Sequence, residues 1–133
     1  MNLSDSSKVR KRIILVDDDK HAVETLSKLL SEDGYEVVVC FNGKEAIKKM
    51  ELNKYDVIIT DLRMPEIGGL KLLKNIKKTD PELPVIIVTA FGEVGSYLDA
   101  FVKGAYDYIN KPINYEELIR LLEAIFRKEE GRK

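Results

Sequence analysis

Short apolar runs alternate with amphipathic stretches along the whole chain, and this order constrains the fold more than any other feature of the sequence. The runs are Arg12 to Asp17, Tyr35 to Cys40, Tyr55 to Thr60, Pro84 to Thr89 and Tyr106 to Ile109. Three are dense in Ile and Val; the second is marked by Val37, Val38 and Val39 and the fifth by closely spaced aromatics. Runs this short, bounded by charged or turn residues, read as buried strands.

Between them, apolar residues recur at helical spacing. The stripes are Ala22, Val23, Leu26, Leu29 and Leu30; Ala46, Ile47 and Met50; Leu70, Leu73 and Ile76; Val94, Tyr97, Leu98, Phe101 and Val102; Leu118, Leu121, Leu122, Ile125 and Phe126. Each covers one side of a helix. Asp33-Gly34 and Lys103-Gly104 put glycine where helices commonly end, Asp80 and Pro81 break the pattern before the fourth run, and Asn114 with Glu117 reads as a helix start. Strict alternation of strand and helix implies parallel strands joined by right-handed crossovers, with helices on both faces. The expectation is an α/β fold with a doubly wound, five-stranded parallel sheet.

The chain of 133 residues shows no internal repeat and reads as one domain, residues 12–126. Residues 1–11 form a polar lead expected to be flexible. Residues 127–133 have lost the apolar stripe and are expected to be a frayed end or the start of a linker. With 22 basic and 23 acidic residues the net charge is -1, so no nucleic-acid or membrane-surface footprint is evident. No apolar run approaches the ~20 residues that cross a bilayer, and the start lacks a signal peptide's apolar segment. The chain is therefore expected to be soluble and cytoplasmic, with protein or small-molecule partners. Cys40 stands alone, which excludes an internal disulfide and suits a small core residue.

In open α/β sheets, ligands bind beyond the carboxyl ends of the strands. Here the first run ends in Asp17-Asp18-Asp19, Asp61 follows the third, Thr89 closes the fourth, and Lys111-Pro112 follows the fifth. Carboxylates gathered in one crevice resist ionisation unless a cation neutralises them, and hard oxygen ligands suit Mg2+. A carboxylate can also be the nucleophile that forms an acyl phosphate, and Asp61 is the candidate. Phosphoryl transfer needs charge neutralised on the equatorial oxygens, which the Lys111 ammonium and the Thr89 hydroxyl could supply with the metal. Any one of these aspartates alone would read as a helix cap or a solvated acid; the joint pattern points to chemistry. His21 and the lysines at 44, 48, 49, 54, 71, 74, 77 and 78 read as solvated helix residues. The glycine-rich cradles of nucleotide-binding enzymes are missing.

The motifs Ile14-Leu15-Val16-Asp17-Asp18, Asp61-Leu62-Arg63-Met64-Pro65, Val88-Thr89-Ala90 and Tyr106-Asp107-Tyr108-Ile109-Asn110-Lys111-Pro112 stand in one order. In that set, from Arg12 to about Phe126, the chain resembles the receiver domains of two-component response regulators. A shade of the resemblance points to receivers of NtrC-like, enhancer-binding transcription activators. The resemblance implies a flavodoxin-like fold, (βα)5 with strand order 2-1-3-4-5. It makes Asp61 the phosphorylated residue, with Mg2+ (Mn2+ as an alternative) held by Asp18, Asp61 and the Arg63 backbone carbonyl, and by Asp17 directly or through water. Asp19 is expected outside that set. Lys111 would pair with phosphoryl oxygens, Thr89 would bond to the phosphoryl group, and Tyr108 would turn inward as an aromatic switch. Lys111-Pro112 is expected to be cis. The implied partners are a sensor histidine kinase, an output domain or protein plausibly in transcription, and a second copy in a phosphorylation-dependent dimer. One departure is visible: many relatives carry Asp-Gly after the Met-Pro pair, where this chain has Glu66-Ile67-Gly68-Gly69, so a more mobile loop is expected.

On this reading the chain is an acceptor that phosphorylates and dephosphorylates itself, and not a turnover enzyme. Two rivals stand beside it. A docking module that works without phosphorylation would be expected to have lost some of the acids or the lysine. An aspartyl-phosphate phosphatase would place its nucleophile on the first strand, with an Asp two residues on, and would need a cap that 133 residues leave no room for.

Overall fold

The computed structural model describes residues 10–64, 66–90 and 104–130. Five strands, β1 (Arg12–Val16), β2 (Glu36–Cys40), β3 (Val57–Asp61), β4 (Val85–Thr89) and β5 (Asp107–Asn110), form one sheet in the order β2-β1-β3-β4-β5. All four neighbouring pairs are parallel. The doubly wound order expected from the sequence is therefore present.

Four helices are described: α1 (Lys20–Glu32), α2 (Gly43–Leu52), α3 (Gly69–Thr79) and α4 (Tyr115–Glu130). The helix expected around Val94–Val102 and the polar lead up to Val9 lie outside the described residues. Because side chains alternate along a strand, each strand feeds two cores. Ile13, Leu15, Val57, Ile59, Ile86, Val88 and Ile109 pack with Val23, Leu26 and Leu30 of α1 and Leu118, Leu122 and Ile125 of α4. Ile14, Val16, Ile58, Val85, Ile87 and Tyr108 pack with Ala46 of α2 and Leu72, Leu73 and Ile76 of α3. β3 and β4 are buried at every position, as their unbroken apolar runs require. Truncating one of these side chains to alanine would cost about 2–5 kcal/mol.

The helix ends explain themselves locally. Asp19 caps α1 by accepting from the Ala22 N–H, and Gly34 leaves the helix with φ +97°, a conformation that carries no penalty without a Cβ. Asn42 caps α2 by accepting from the Glu45 N–H at 2.9 Å, while Glu45 reaches back to the Phe41 N–H at 2.8 Å, a reciprocal capping box. Asn114 accepts from the Glu117 N–H at 3.0 Å at the start of α4, as the sequence signals. α4 continues to Glu130, past Phe126 where a frayed end was expected to begin. Arg, Lys and Glu are good helix formers, and Arg127 and Lys128 complement the negative end of the helix, so backbone bonding outlasts the apolar stripe. Cys40 is fully buried at the end of β2, and burial pushes its thiol up to about 11, in keeping with a core role.

Candidate functional site

The sheet carries Asp17, Asp61 and Lys111 to one edge because each follows or closes a strand at its carboxyl end. β1 and β3 pair in register from Ile13↔Val57 to Val16↔Thr60, so the next residue of each, Asp17 and Asp61, stand side by side. Both are 9% exposed, whereas Asp18 and Asp19 are exposed. Oxygen atoms of Asp17, Asp18 and Asp61 lie within 4.8 Å of one another.

Lys111 enters from the far edge. Its Nζ lies 3.2 Å from Asp61 Oδ2 and 3.4 Å from Asp17 Oδ2. The Lys111–Pro112 peptide is cis. The loop that carries Lys111 is held on both sides: the Lys111 N–H donates to the Thr89 carbonyl at 2.7 Å, and the Tyr115 hydroxyl lies 2.6 Å from the Asp33 carboxylate and 3.0 Å from the Leu29 carbonyl. The last contact ties the start of α4 to the end of α1. Between these helices a cavity of about 680 Å³ opens from the apolar side chains of Leu26, Leu29 and Ile113 to Asp17, Asp61 and Lys111.

Two carboxylates share one ammonium, and the electrostatics follow from that count. Burial pushes the Asp61 carboxyl above its ordinary value; Lys111 offsets part of this and the neighbouring Asp17 charge adds to it. Lys111 responds the other way: burial alone would lower its pKa, but attraction by Asp61 and Asp17 and their hydrogen bonds outweigh it, and the net direction is up. The site thus holds surplus negative charge in partial shelter from water. Three carboxylates with ligand atoms this close fit a hard divalent cation such as Mg2+, which takes one or two carboxylates and keeps water in its remaining positions.

Asp19 is not one of the trio. Its side chain is committed to the α1 cap, but its backbone N–H donates to Asp17 Oδ1 at 2.9 Å and so fixes the Asp17 carboxylate. Asp17 is held at both oxygens, by Asp19 on one and Lys111 on the other. An Asp directly before a helical stripe is a cap signal, so this division was open to sequence reading. Arg63 lies two residues beyond Asp61 with its side chain exposed, and Pro65 falls outside the described residues.

Thr89 closes β4, 1% exposed, but does not line the cavity that Asp61 and Lys111 share. By the alternation of β4 it shares the face of Val85 and Ile87. Tyr108 packs on that same face, 8% exposed, opposite Ile87, which makes Thr89 its diagonal neighbour. Thr89 therefore shares a sheet face with Tyr108 and follows Val88, the register partner of Asp61.

Sequence reading passed over Gly69. A Cβ there would lie 2.5 Å from the Asp61 carbonyl oxygen, so only glycine lets α3 start against the Asp61 main chain. The Gly-Gly pair before an apolar stripe was the available signal. Gly68 is the α3 N-cap and supplies no side-chain bond.

Comparison with known proteins adds four findings. The family model of the response regulator receiver domain matches residues 13–123. The transcriptional regulatory protein ZraR of Klebsiella oxytoca is 38% identical over 114 residues, which cover 85% of this chain and 26% of the relative. The chain spans about a quarter of that relative's length. Among solved structures, a response regulator receiver domain protein (CheY-like) from Methanospirillum hungatei JF-1 superposes with a TM-score of 0.89 at 27% identity, covering 94% of this chain and 100% of the other. The response regulator protein TrrA from Thermotoga maritima, in complex with Mg(2+)-BeF, superposes with a TM-score of 0.79 at 36% identity, covering 86% and 98%.

Proposed function

Because this chain belongs to the response regulator receiver domain family, we propose that Asp61 takes a phosphoryl group from the phosphohistidine of a sensor kinase and that the modified domain switches an output. The observation that carries this reading is the meeting of Asp17, Asp18 and Asp61 with the Lys111 ammonium at the carboxyl edge of the sheet.

In the reaction a carboxylate oxygen of Asp61 attacks phosphorus while the bond from phosphorus to the donor imidazole breaks, and the leaving nitrogen takes the electron pair. Lys111, now 3.2 Å from Asp61, turns its charge to the phosphoryl oxygens. Mg2+, or Mn2+ in its place, would be held by Asp18, Asp61 and the Arg63 backbone carbonyl, with Asp17 direct or through water. When bound, it supplies charge neutralisation for the phosphoryl group. Water later attacks the acyl phosphate and restores Asp61, so the domain is a self-resetting acceptor and not a turnover enzyme.

The switch runs through Thr89 and Tyr108. A dianionic phosphoryl group on Asp61 draws the Thr89 hydroxyl toward it, and Thr89 is the diagonal neighbour of the buried Tyr108 on one sheet face, so movement of one is passed to the other. The output is protein binding, in transcription by analogy with ZraR, with a phosphorylation-dependent homodimer as one form. Among the described residues no helix is long and apolar enough to cross a membrane, which is compatible with a cytoplasmic switch. The phosphatase alternative loses support because Asp19, the second acid of its Asp-x-Asp, is used as a helix cap.

The test is intact mass after incubation with acetyl phosphate, with and without Mg2+. A gain of one phosphoryl group that needs Mg2+ and is lost in Asp61→Asn is expected. No gain from acetyl phosphate or from a cognate kinase would favour the docking-module reading.

A further inference from the structure

Residues 66–69 lead from the acceptor strand into α3, and their seat on the rest of the protein is the contact between Ile67 and Gly43. We propose that Gly43 is a positioning residue for the acceptor: the bare first residue of α2 lets Ile67 settle on the helix start, and that seat fixes the main chain lying against Asp61. The inference rests on Asp61 being the phosphoryl acceptor.

A Cβ at Gly43 would lie 2.8 Å from Ile67 Cγ2, 2.9 Å from Ile67 Cβ and 3.1 Å from the Ile67 carbonyl oxygen. Two of these atoms move only with the backbone, so no rotamer of Ile67 makes room and the main chain itself has to shift. Ile67 is partly buried against the core that α2 and α3 share, which gives the seat its apolar hold. Beside it, Lys44 Nζ lies 3.5 Å from Glu66 Oε2, and Glu66 has φ +64°, a left-handed conformation that a non-glycine residue keeps only when its surroundings hold it there.

Two further contacts decide which side gives way. The start of α2 is braced by the Asn42–Glu45 capping box, so the helix holds its place. Beyond Ile67, the Gly69 N–H donates to the Leu62 carbonyl at 2.8 Å, and the Gly69 Cα presses on the Asp61–Leu62 main chain so closely that a Cβ would stand 2.5 Å from the Asp61 carbonyl oxygen. A displacement forced at Ile67 is passed two residues on to the backbone of Asp61 itself. The packing of this glycine-rich stretch follows from contacts between segments that no local rule reveals.

A double-mutant cycle tests the seat. Wild type, Gly43→Ala, Ile67→Gly and the double variant are compared by phosphorylation rate with acetyl phosphate, by Mg2+ affinity in calorimetric titration, and by amide chemical shifts of Arg63, Met64 and residues 66–69 in metal-free protein. Gly43→Ala is expected to slow phosphorylation about tenfold or more, to weaken Mg2+ binding and to shift those amides. Its melting temperature should hold, because alanine suits a helix better than glycine does. In the Ile67→Gly background the same substitution should change the rate by no more than about twofold. An equal loss in both backgrounds, or none in wild type, overturns the proposal. If wild type takes up no phosphoryl group, the acceptor reading fails, and the metal-free amide shifts alone decide whether Gly43 seats the stretch. If Gly43→Ala does not fold, Ile67→Gly by itself is expected to speed amide exchange across residues 66–69 and slow phosphorylation; unchanged values overturn the proposal.

Discussion

Lys111 and Asp61 are 50 positions apart in the chain and 3.2 Å apart at Nζ and Oδ2. The ammonium is shared, since Asp17 Oδ2 lies 3.4 Å from the same nitrogen. Among the described residues one ammonium faces two sheltered carboxylates, and the consequences of that excess of negative charge can be measured.

Lys111→Met strands two partly buried carboxylates and is expected to lower metal-free stability by about 1–3 kcal/mol. Loss of the ammonium should slow phosphoryl uptake roughly 10²-fold. The alkaline limb gives the sign. Lys111 has its pKa raised on folding, so the stability it contributes is complete below its ordinary value of 10.5 and is lost as pH climbs through the raised value. Melting temperatures across the alkaline range should show that limb in wild type and not in the variant.

Asp61→Asn should abolish phosphorylation and stabilise the metal-free protein. Burial raises the Asp61 pKa on folding, so its ionisation works against the fold. The penalty is absent where both states are protonated, below the ordinary value of 3.8, and grows as pH rises through the raised folded value. At neutral pH the asparagine variant is expected to gain on the order of 1 kcal/mol, or about 3–5 °C in melting temperature. A gain that is equally large at acid pH would refute the electrostatic cause.

Asp18 is exposed yet belongs to the carboxylate trio, so its removal separates metal binding from folding. Mg2+ at a hundredfold above its dissociation constant should stabilise wild type by about 2.7 kcal/mol. Asp18→Asn should keep the melting temperature of the metal-free protein and lose most of the Mg2+-induced rise, read by thermal melts with and without the ion.

Asp19 offers a different separation. Asp19→Ala removes the α1 cap and should cost about 1 kcal/mol, whereas Asp19→Asn keeps a capping oxygen and should be nearly neutral. Calorimetric Mg2+ titration should find the asparagine variant close to wild type. A large loss of affinity there would place the Asp19 charge in the metal site.

Much of this architecture was legible because the signals are local. Unbroken Ile-Val runs become strands covered on both faces, as β3 and β4 are, and Asp33-Gly34 and Asn114-Glu117 end and begin helices by backbone chemistry alone. At the end of α4 the two signals part, because an apolar stripe reports burial, while the helix ladder itself runs on through charged residues to Glu130.

For the site, the sequence by itself determined which chemical groups stand at the carboxyl ends of the strands, since periodicity dictates where each strand stops and topology sends those ends to one edge. Only the tertiary structure decided how they divide the work. Asp17, Asp18 and Asp19 are equivalent as letters, but one is pinned between Lys111 and a backbone amide, one is exposed within the trio, and one caps a helix. Thr89 and Tyr108 share a face because two strands pair in one particular register. Gly43 and Ile67 meet because α2 and the start of α3 lie on the same side of the sheet. Such relations depend on packing between segments distant in sequence, and packing is a property of the assembled chain that no single stretch contains.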